Sequence, residues 1–487
     1  MSEAGGEQAG RPSAPSQSVV MKFGGTSVED VAAIRRAAQI VSQRLRHRPV
    51  VVVSALSDVT DQLLEAGKTA ARGDLPLATE TLQSLRRRHE QVVLASTETA
   101  DCERLRAQFE ADFQEMRELL RNVAGFGDLT LRLQDHLLGF GECLASRLLQ
   151  AAFAHFGLDA VWVDARAVII TDAAHTFATP LWEETNQQLQ HVLVPLLAQG
   201  KVPLLGGFIG STRDGIPTTL GRGGSDFTAS IVGAALQAVR IEMWTDVDGI
   251  LTTDPKMCPD ARRVPTMSFE EAADLAYFGA KILHPAAIAP AMRKNVPVWV
   301  LNSRHPEGKG TEIVAHPSDE CTIKAITARK GVTVVDVEAV RWFAPELLRE
   351  ILDVFERHHY GLDFLSSSRG SLSLLVTSAE ALPAIAEELK GLATVRWKSE
   401  KALVCLVGEK VRRQPEIAGQ VFRALADVDL RMICQGASER NISFLVDESK
   451  AEDSVRRLHR LFFQSRFDRH SAGSSAQPMC QAEGAWQ

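Results

Sequence analysis

"VVMKFGGTSVEDVAAIRRAAQIV" (Val19–Val41) opens with five apolar-rich residues that suit a short strand, then breaks at Gly24 and Gly25. From there Val28, Val31, Ile34, Ala38 and Val41 recur at spacings of three and four, continued by Leu45, and mark one face of a helix. "PVVVVSAL" (49–56) follows, apolar on both faces as a buried central strand requires. Strand, glycine turn, helix and strand predict an α/β domain with a largely parallel sheet. Strand signals return at "DAVWVDA", "KVPLLGGFIG", "RIEMWTDVDGI" and "VPVWVLN", so the alternation runs from Val19 to about Asn302. Residues 58–156 interrupt it with almost wholly helical sequence, such as "LQSLRRRHEQVVL" and "LRAQFEADFQEMRELLRNV". This block is predicted as a helical elaboration covering one edge of a cleft.

At 487 residues the chain is long enough for two or three domains. A net charge of −7, with no block of like charge, argues against a nucleic-acid partner. No apolar run reaches the roughly 18–20 residues of a membrane helix, so no membrane partner is expected. Residues 1–17 are small and polar, without the basic start and apolar centre of a signal peptide, and are expected to be a disordered lead-in. The seven cysteines are scattered, with no C-x-x-C pair, which points to a reducing, cytoplasmic setting.

After "HPEGKGTEI" the pattern changes. Residues 322–400 read as strand, helix, strand, strand, helix, strand, the ferredoxin-like βαββαβ order, and the order repeats over 401–465 without its last strand. "TIKAIT" (322–327) is the candidate for that missing strand, so the two modules are expected to be nested, interlocked instead of strung in series. Residues 466–487 read as a polar tail.

Two glycine-rich turns feed helices. The first places Lys22 one residue before "FGG"; the second, "TTLGRGGSDFTA" (218–229), sets Arg222 among three glycines ahead of Ser225 and Asp226. Glycines allow close backbone approach to an anion, and helix N-termini offer free amide donors. Neither turn is a Walker A loop or a dinucleotide turn. Ser225 and Asp226 also suit helix capping, which leaves the arginine fork to be explained. "WTDVDGILTTDPK" (244–256) crowds Asp246, Asp248 and Asp254; turn chemistry accounts for aspartates before Gly and Pro, and the absence of a closing glutamate excludes an EF-hand. Glu142 lies at helical spacing among apolar residues, where a carboxylate needs a partner, and Lys281 sits in a similar setting. These are parts of a phosphoryl-transfer site in which lysine, backbone amides and Mg²⁺ neutralise charge without a protein base.

"VMKFGGTSV", "VVVVSALSDVTDQLL", "GECLASRLL", "TTLGRGGSDFTA", "WTDVDGILTTDP", "SFEEAADLAYFGAKILHP" and "ICQGASERNISFLVDE" occur in one order along about residues 18–465. In these motifs the chain resembles the monofunctional aspartate kinases of the amino-acid kinase superfamily, which carry two C-terminal ACT domains. The resemblance implies a three-layer α/β/α catalytic domain over 18–304 and ACT domains over 322–400 and 401–465. It implies phosphorylation of L-aspartate by ATP with Mg²⁺, opening the route to lysine, threonine and methionine. By position, Lys22 would stabilise the transferring phosphoryl group, and Gly24, Gly25, Thr26 and Ser27 would line the phosphate turn. Asp226 would hold Lys22, Arg222 the aspartate α-carboxylate and Glu142 its ammonium group. Ser54, Thr60 and Ser225 would add substrate contacts. Thr245, Asp246, Leu251, Lys256, Lys281 and Ile282 fall where the family binds nucleotide. An amino-acid effector and a homodimer or homotetramer built through the ACT domains are implied as partners.

The chain departs from the family's pattern in three places. Leu251 stands where many relatives have tyrosine, and Lys256 replaces an arginine, keeping charge without the fork. In the first ACT domain, "APELLRE" (344–350) and "SSSRGS" (366–371) lack the family's lysine-binding glycine and glutamate; Arg369 would repel a lysine ammonium. A non-catalytic amino-acid sensor and a glutamate or N-acetylglutamate kinase are the competing readings. Intact Lys22, Glu142, Arg222 and Asp226 weigh against the first, since buried charges are costly to keep without use. The ACT pair and Glu142, suited to a free amino group, weigh against the second.

Overall fold

In a computed structural model the residues described are all except 1–17, 98, 281–283, 318–321, 340–344, 362–363, 369, 436–437 and 465–487. The expected lead-in and tail, with Lys281, Ile282 and Arg369, therefore lie outside the described residues. The chain divides into two units. One comprises Met1–Ile250, Arg263–Ala276 and Lys281–Asp319; the other comprises Leu251–Arg262, Tyr277–Ala280 and Glu320–Gln487.

The first unit begins with β1 (Val19–Phe23), α1 (Val31–Ser42) and β2 (Pro49–Val53). Every β2 side chain is buried, and Asp30 starts α1 by accepting a hydrogen bond from Ala33 N at 2.7 Å. Four long helices follow: α2 (Val59–Ala71), α3 (Leu75–Ser96), α4 (Thr99–Phe126) and α5 (Leu131–His155). Their apolar stripes merge with the sheet face into one core, in which Phe109, Phe113, Met116, Leu148 and Phe153 are buried beside Met21 and Phe23. Then come β3 (Ala160–Val163), α6 (Trp182–Ala198), β4 (Val202–Gly206), the hairpin β5 (Ile209–Ser211) and β6 (Pro217–Thr219), α7 (Gly224–Leu236) and β7 (Arg240–Thr245). The unit ends with β8 (Thr266–Ser268), α8 (Phe269–Tyr277), α9 (Pro285–Lys294), β9 (Val298–Asn302) and β10 (Thr311–Val314).

Eight of these strands form one sheet in the order β3-β4-β2-β1-β7-β9-β10-β8, parallel except between β9 and β10. The chain leaves β1 toward β2 on one side and later returns to its other side as β7. Strand order reverses at that point, and in open α/β sheets a crevice forms there, beyond the carboxyl ends of the strands. Lys22 and the loops after β1, β2, β4 and β7 all lie at those ends.

The second unit is built on one six-stranded antiparallel sheet, β12-β13-β11-β14-β16-β15. Its elements are β11 (Ala325–Ala339), α10 (Pro345–Arg357), β12 (Phe364–Ser368), β13 (Ser371–Val376), α11 (Leu382–Glu388), β14 (Ala393–Val407), α12 (Pro415–Ala424), β15 (Arg431–Cys434), β16 (Asn441–Asp447) and α13 (Glu448–His459). Two strands of 15 residues, β11 and β14, are shared by both modules. The Ala325–Arg329 part of β11 pairs with Leu403–Val407 of β14 in one module, and after a bulge Val334–Ala339 pairs with Ala393–Lys398 in the other. The modules are nested ferredoxin-like folds with separate cores, one around Val404, Phe444 and Val455, the other around Val335, Phe355 and Leu374. Among the described residues no helix is long and apolar enough to cross a membrane.

Candidate active site

A cavity of about 500 Å³ opens at the carboxyl ends of β1 and β2, lined by Lys22, Gly24, Gly25, Thr26, Ser54, Thr60, Glu142, Arg222, Ser225, Asp226 and Thr245 among others. Lys22, the penultimate residue of β1, lies between Val52 of β2 and Met243 of β7. Its Nζ lies 2.7 Å from Asp226 Oδ1 in the first turn of α7, and both side chains are largely buried. The N-terminal turn of α7 and the Lys22 ammonium thus border the same cavity, which suits an anion.

The glycines of the first turn serve contact as well as anion approach. A Cβ on Gly24 would sit 3.7 Å from Lys22 Nζ, and one on Gly25 would meet Ala55 O at 2.9 Å, so the β1 and β2 loops touch only because residue 25 has no side chain. Ser27, expected on the phosphate turn, is turned inward. It is buried, and its hydroxyl lies 2.8 Å from Ser303 Oγ and donates to Trp244 O at 3.4 Å. The short 3-10 turn Gly25–Ser27 rotates this side chain away from the cavity, so it fastens the loop.

Glu142 projects from α5 and is buried at the cavity wall. One carboxyl oxygen accepts from Ala55 N at 3.2 Å, while Oε2 has no hydrogen-bond partner. Burial raises its pKa to about 8, opposed by the Ala55 amide and by the positive charge of Lys22. A buried carboxyl with one unmet oxygen at a cavity wall is a receptor for a cationic or donor group. Gly206 at the end of β4 lets α5 come this close, since a Cβ there would be 3.1 Å from Glu142 Cβ.

The second glycine turn holds Arg222 between Gly221 and Gly223, both at positive φ (77° and 71°). The following Ser225 is wedged against Gly207, where a Cβ would fall 2.6 Å from Ser225 Cα. Phe208 also lines the cavity, as do Ser57, Asp58 and Asp61. Sequence reading missed these four. Phe208 and Asp58 adopt positive φ (65° and 64°), and only the pair Gly206–Gly207 hints that the backbone turns sharply there.

Thr245 at the end of β7 lines the cavity and donates to Asp246 Oδ1 at 3.2 Å. Asp248 accepts from Asn302 Nδ2 at 2.7 Å, and Asp254 from Lys256 N at 2.9 Å, so those two aspartates serve loop and turn structure. Leu251 and Lys256 belong to the second unit.

Residues 17–302 match the amino acid kinase family, and residues 404–462 match an ACT domain. The chain is 34% identical over 466 residues to aspartokinase 2, chloroplastic, of Arabidopsis thaliana, spanning 92% of this chain and 84% of that protein. It is 33% identical to the lysine-sensitive aspartokinase 3 of Escherichia coli, spanning 92% of this chain and all of that protein. The chain belongs to the aspartokinase family. Its fold agrees with that of E. coli aspartokinase III solved with aspartate and ADP, at a TM-score of 0.81, 32% identity and coverage of 92% of this chain and 100% of that one. The same enzyme solved with lysine and aspartate gives a TM-score of 0.78 at 33% identity, again covering 92% and 100% of the two chains.

Proposed function

We propose that this chain transfers the γ-phosphoryl group of ATP to the side-chain carboxylate of L-aspartate, giving 4-phospho-L-aspartate and ADP. The observation that carries this reading is the set of three chemically distinct groups around one cavity: the Lys22–Asp226 pair, the Arg222 guanidinium and the unmet oxygen of Glu142. A short amino diacid presents a matching set. Its α-carboxylate suits the arginine fork, its ammonium suits Glu142, and its second carboxylate is left to face the phosphoryl donor.

A carboxylate oxygen attacks the γ-phosphorus while the bond to the ADP oxygen breaks, so no proton has to be removed. Catalysis then rests on alignment and on neutralising the phosphoryl oxygens, the roles this reading gives to Lys22 and the α7 amides. Asp226 holds the Lys22 ammonium in place. Ser54, Thr60 and Ser225 border the acceptor, while Gly24, Gly25 and Thr26 border the phosphates. Thr245 and Asp246, with Leu251, Lys256, Lys281 and Ile282, are assigned to the nucleotide. Mg²⁺ arrives as part of the nucleotide substrate. In this reading the nucleotide phosphates supply most of its ligands and the protein few.

The paired ACT modules are assigned to amino-acid feedback. The sheet ends in strands β12 and β15, whose outer backbone edges support assembly into a homodimer or homotetramer. The deciding experiment follows ADP release and traps acyl phosphate with hydroxylamine, offering aspartate, glutamate and N-acetylglutamate as acceptors. Aspartate-dependent release with trapped hydroxamate is expected. Preference for either longer diacid, or amino-acid binding without turnover, overturns the reading. Lysine and threonine added to the same assay identify the effector, with lysine alone expected to inhibit weakly.

A further inference from the structure

Arg222 stands between two glycines, Gly221 and Gly223, both in the left-handed conformation. Neither offers a side chain to pack, so the turn that carries the guanidinium has little stiffness of its own. Residues 172–179 run beside it. A Cβ on Gly221 would fall 2.6 Å from Phe177 Cδ1 and 3.0 Å from Thr176 O. Ala178 N donates to Thr219 O at 3.0 Å, and the Thr171 and Thr218 hydroxyls lie 2.7 Å apart. This loop and the approach to Arg222 are therefore fastened together.

Phe177 is 72% exposed, so burial in a core does not account for it. Thr176 has φ 71°, a conformation that a β-branched residue keeps only when its surroundings impose it. The group that imposes it is Asp135. This carboxylate is completely buried; it accepts from Thr176 N at 3.0 and 3.1 Å, from His175 Nδ1 at 2.8 Å and from Thr219 Oγ1 at 2.5 Å. One side chain thus ties the Phe177 loop to the strand that leads into the arginine turn. Asp135 precedes Glu142 by seven residues on α5, which puts both carboxylates on one helix face.

We infer that Asp135 is a positioning residue for substrate binding, acting through the Phe177 loop, whose ring is wedged against Gly221 to fix the aim of Arg222. The inference rests on the assignment of Arg222 to the α-carboxylate of aspartate. With the brace intact, the guanidinium meets the carboxylate already ordered; without it, that ordering is charged against substrate affinity. The Lys22–Asp226 pair is untouched by the brace, so nucleotide affinity and the transfer step are unaffected.

The test is a KM-against-kcat comparison for both substrates in wild type, Phe177→Ala, Phe177→Leu and Asp135→Asn. Phe177→Ala, an exposed change that cannot empty a core, should raise the aspartate KM about fivefold or more, with kcat and the ATP KM within about twofold. Asp135→Asn should raise the aspartate KM about tenfold or more in the same pattern, and Phe177→Leu should stay near wild type because it keeps a wedge. An unchanged aspartate KM in Phe177→Ala overturns the inference, as does an equal loss in kcat and both KM values. Wild-type enzyme that does not turn over aspartate overturns the functional reading itself; wild-type turnover with unshifted variants overturns only the brace.

Discussion

Glu142 meets its substrate in the wrong protonation state. Burial holds its pKa at about 8, so at neutral pH the free enzyme carries a neutral carboxyl there. An incoming ammonium group restores what burial removed, favours the anion and expels one proton. Aspartate kcat/KM should therefore fall as pH drops below about 8, by up to about tenfold per unit. Glu142→Gln should lower kcat/KM roughly thirtyfold or more and abolish that slope. Because the folded pKa lies above the ordinary 4.5, the folded state binds the extra proton between 4.5 and about 8. Substrate-free stability should thus decline as pH rises through that window, and thermal melts of wild type against Glu142→Gln test it. For Lys22→Ala, kcat should fall on the order of a thousandfold, with an ordinary melting profile, because charge is lost where the phosphoryl group passes. Near-wild-type turnover in that variant would remove Lys22 from the mechanism. Lys22 and Arg222 were legible in the sequence because charged residues beside glycine turns have few structural uses, whereas Asp226, which also suits a helix cap, was legible only through the family resemblance. Phe208, Asp58 and the inward Ser27 were not, since their orientation follows from local backbone rotation that no residue pattern encodes.

At the scale of elements, α3 carries a buried cost that pH exposes. His89 is fully buried against Phe109 and Phe113 of α4; its Nδ1 donates to Leu85 O at 2.8 Å and its Nε2 has no partner. Burial lowers its pKa to about 4 from an ordinary 6.5. The unfolded chain therefore binds a proton that the fold refuses, and stability falls as pH drops from 6.5 toward 4, by roughly 3 kcal/mol for this group. Urea midpoints of wild type and His89→Leu over that range should diverge, with the variant showing the flatter pH dependence. Parallel curves would mean that the α3–α4 contact opens to admit the charge. The four helices of this block were legible because their apolar spacing persists for many turns. The strands β11 and β14 were each read as two pieces, since "ARKG" and "WKSEK" interrupt the alternation. Each strand continues because its partner does: backbone pairing across the sheet resumes after the bulge that the polar residues occupy.

For the whole molecule, the order of residues along the chain and the grouping of residues in space differ. Sequence reading divides the chain linearly, with a catalytic domain ending at 304. In space Leu251–Arg262, which follows the β7 loop, belongs with the C-terminal sheet. Thr252 O accepts from Ile326 N at 2.7 Å, and the Thr252 hydroxyl lies 2.9 Å from the buried His459 Nε2. Arg456 Nε donates to Met257 O at 2.8 Å, and Gln464 Nε2 to Asp260 Oδ2 at 2.7 Å. Nothing in the composition of "LTTDPKMCPDAR" announces these partners, because each is about 70 to 210 residues away in sequence and uses mainly backbone carbonyls and small polar groups. The consequence is testable by division of the chain. In residues 18–317 alone the backbone amides of 251–262 should exchange with solvent faster than in the full chain, because the segment loses the contacts that hold its backbone. Adding residues 318–464 as a separate chain should restore that protection, since those contacts need no covalent link. Equal exchange of 251–262 in residues 18–317 and in the full chain would mean that the segment keeps its conformation without the C-terminal sheet.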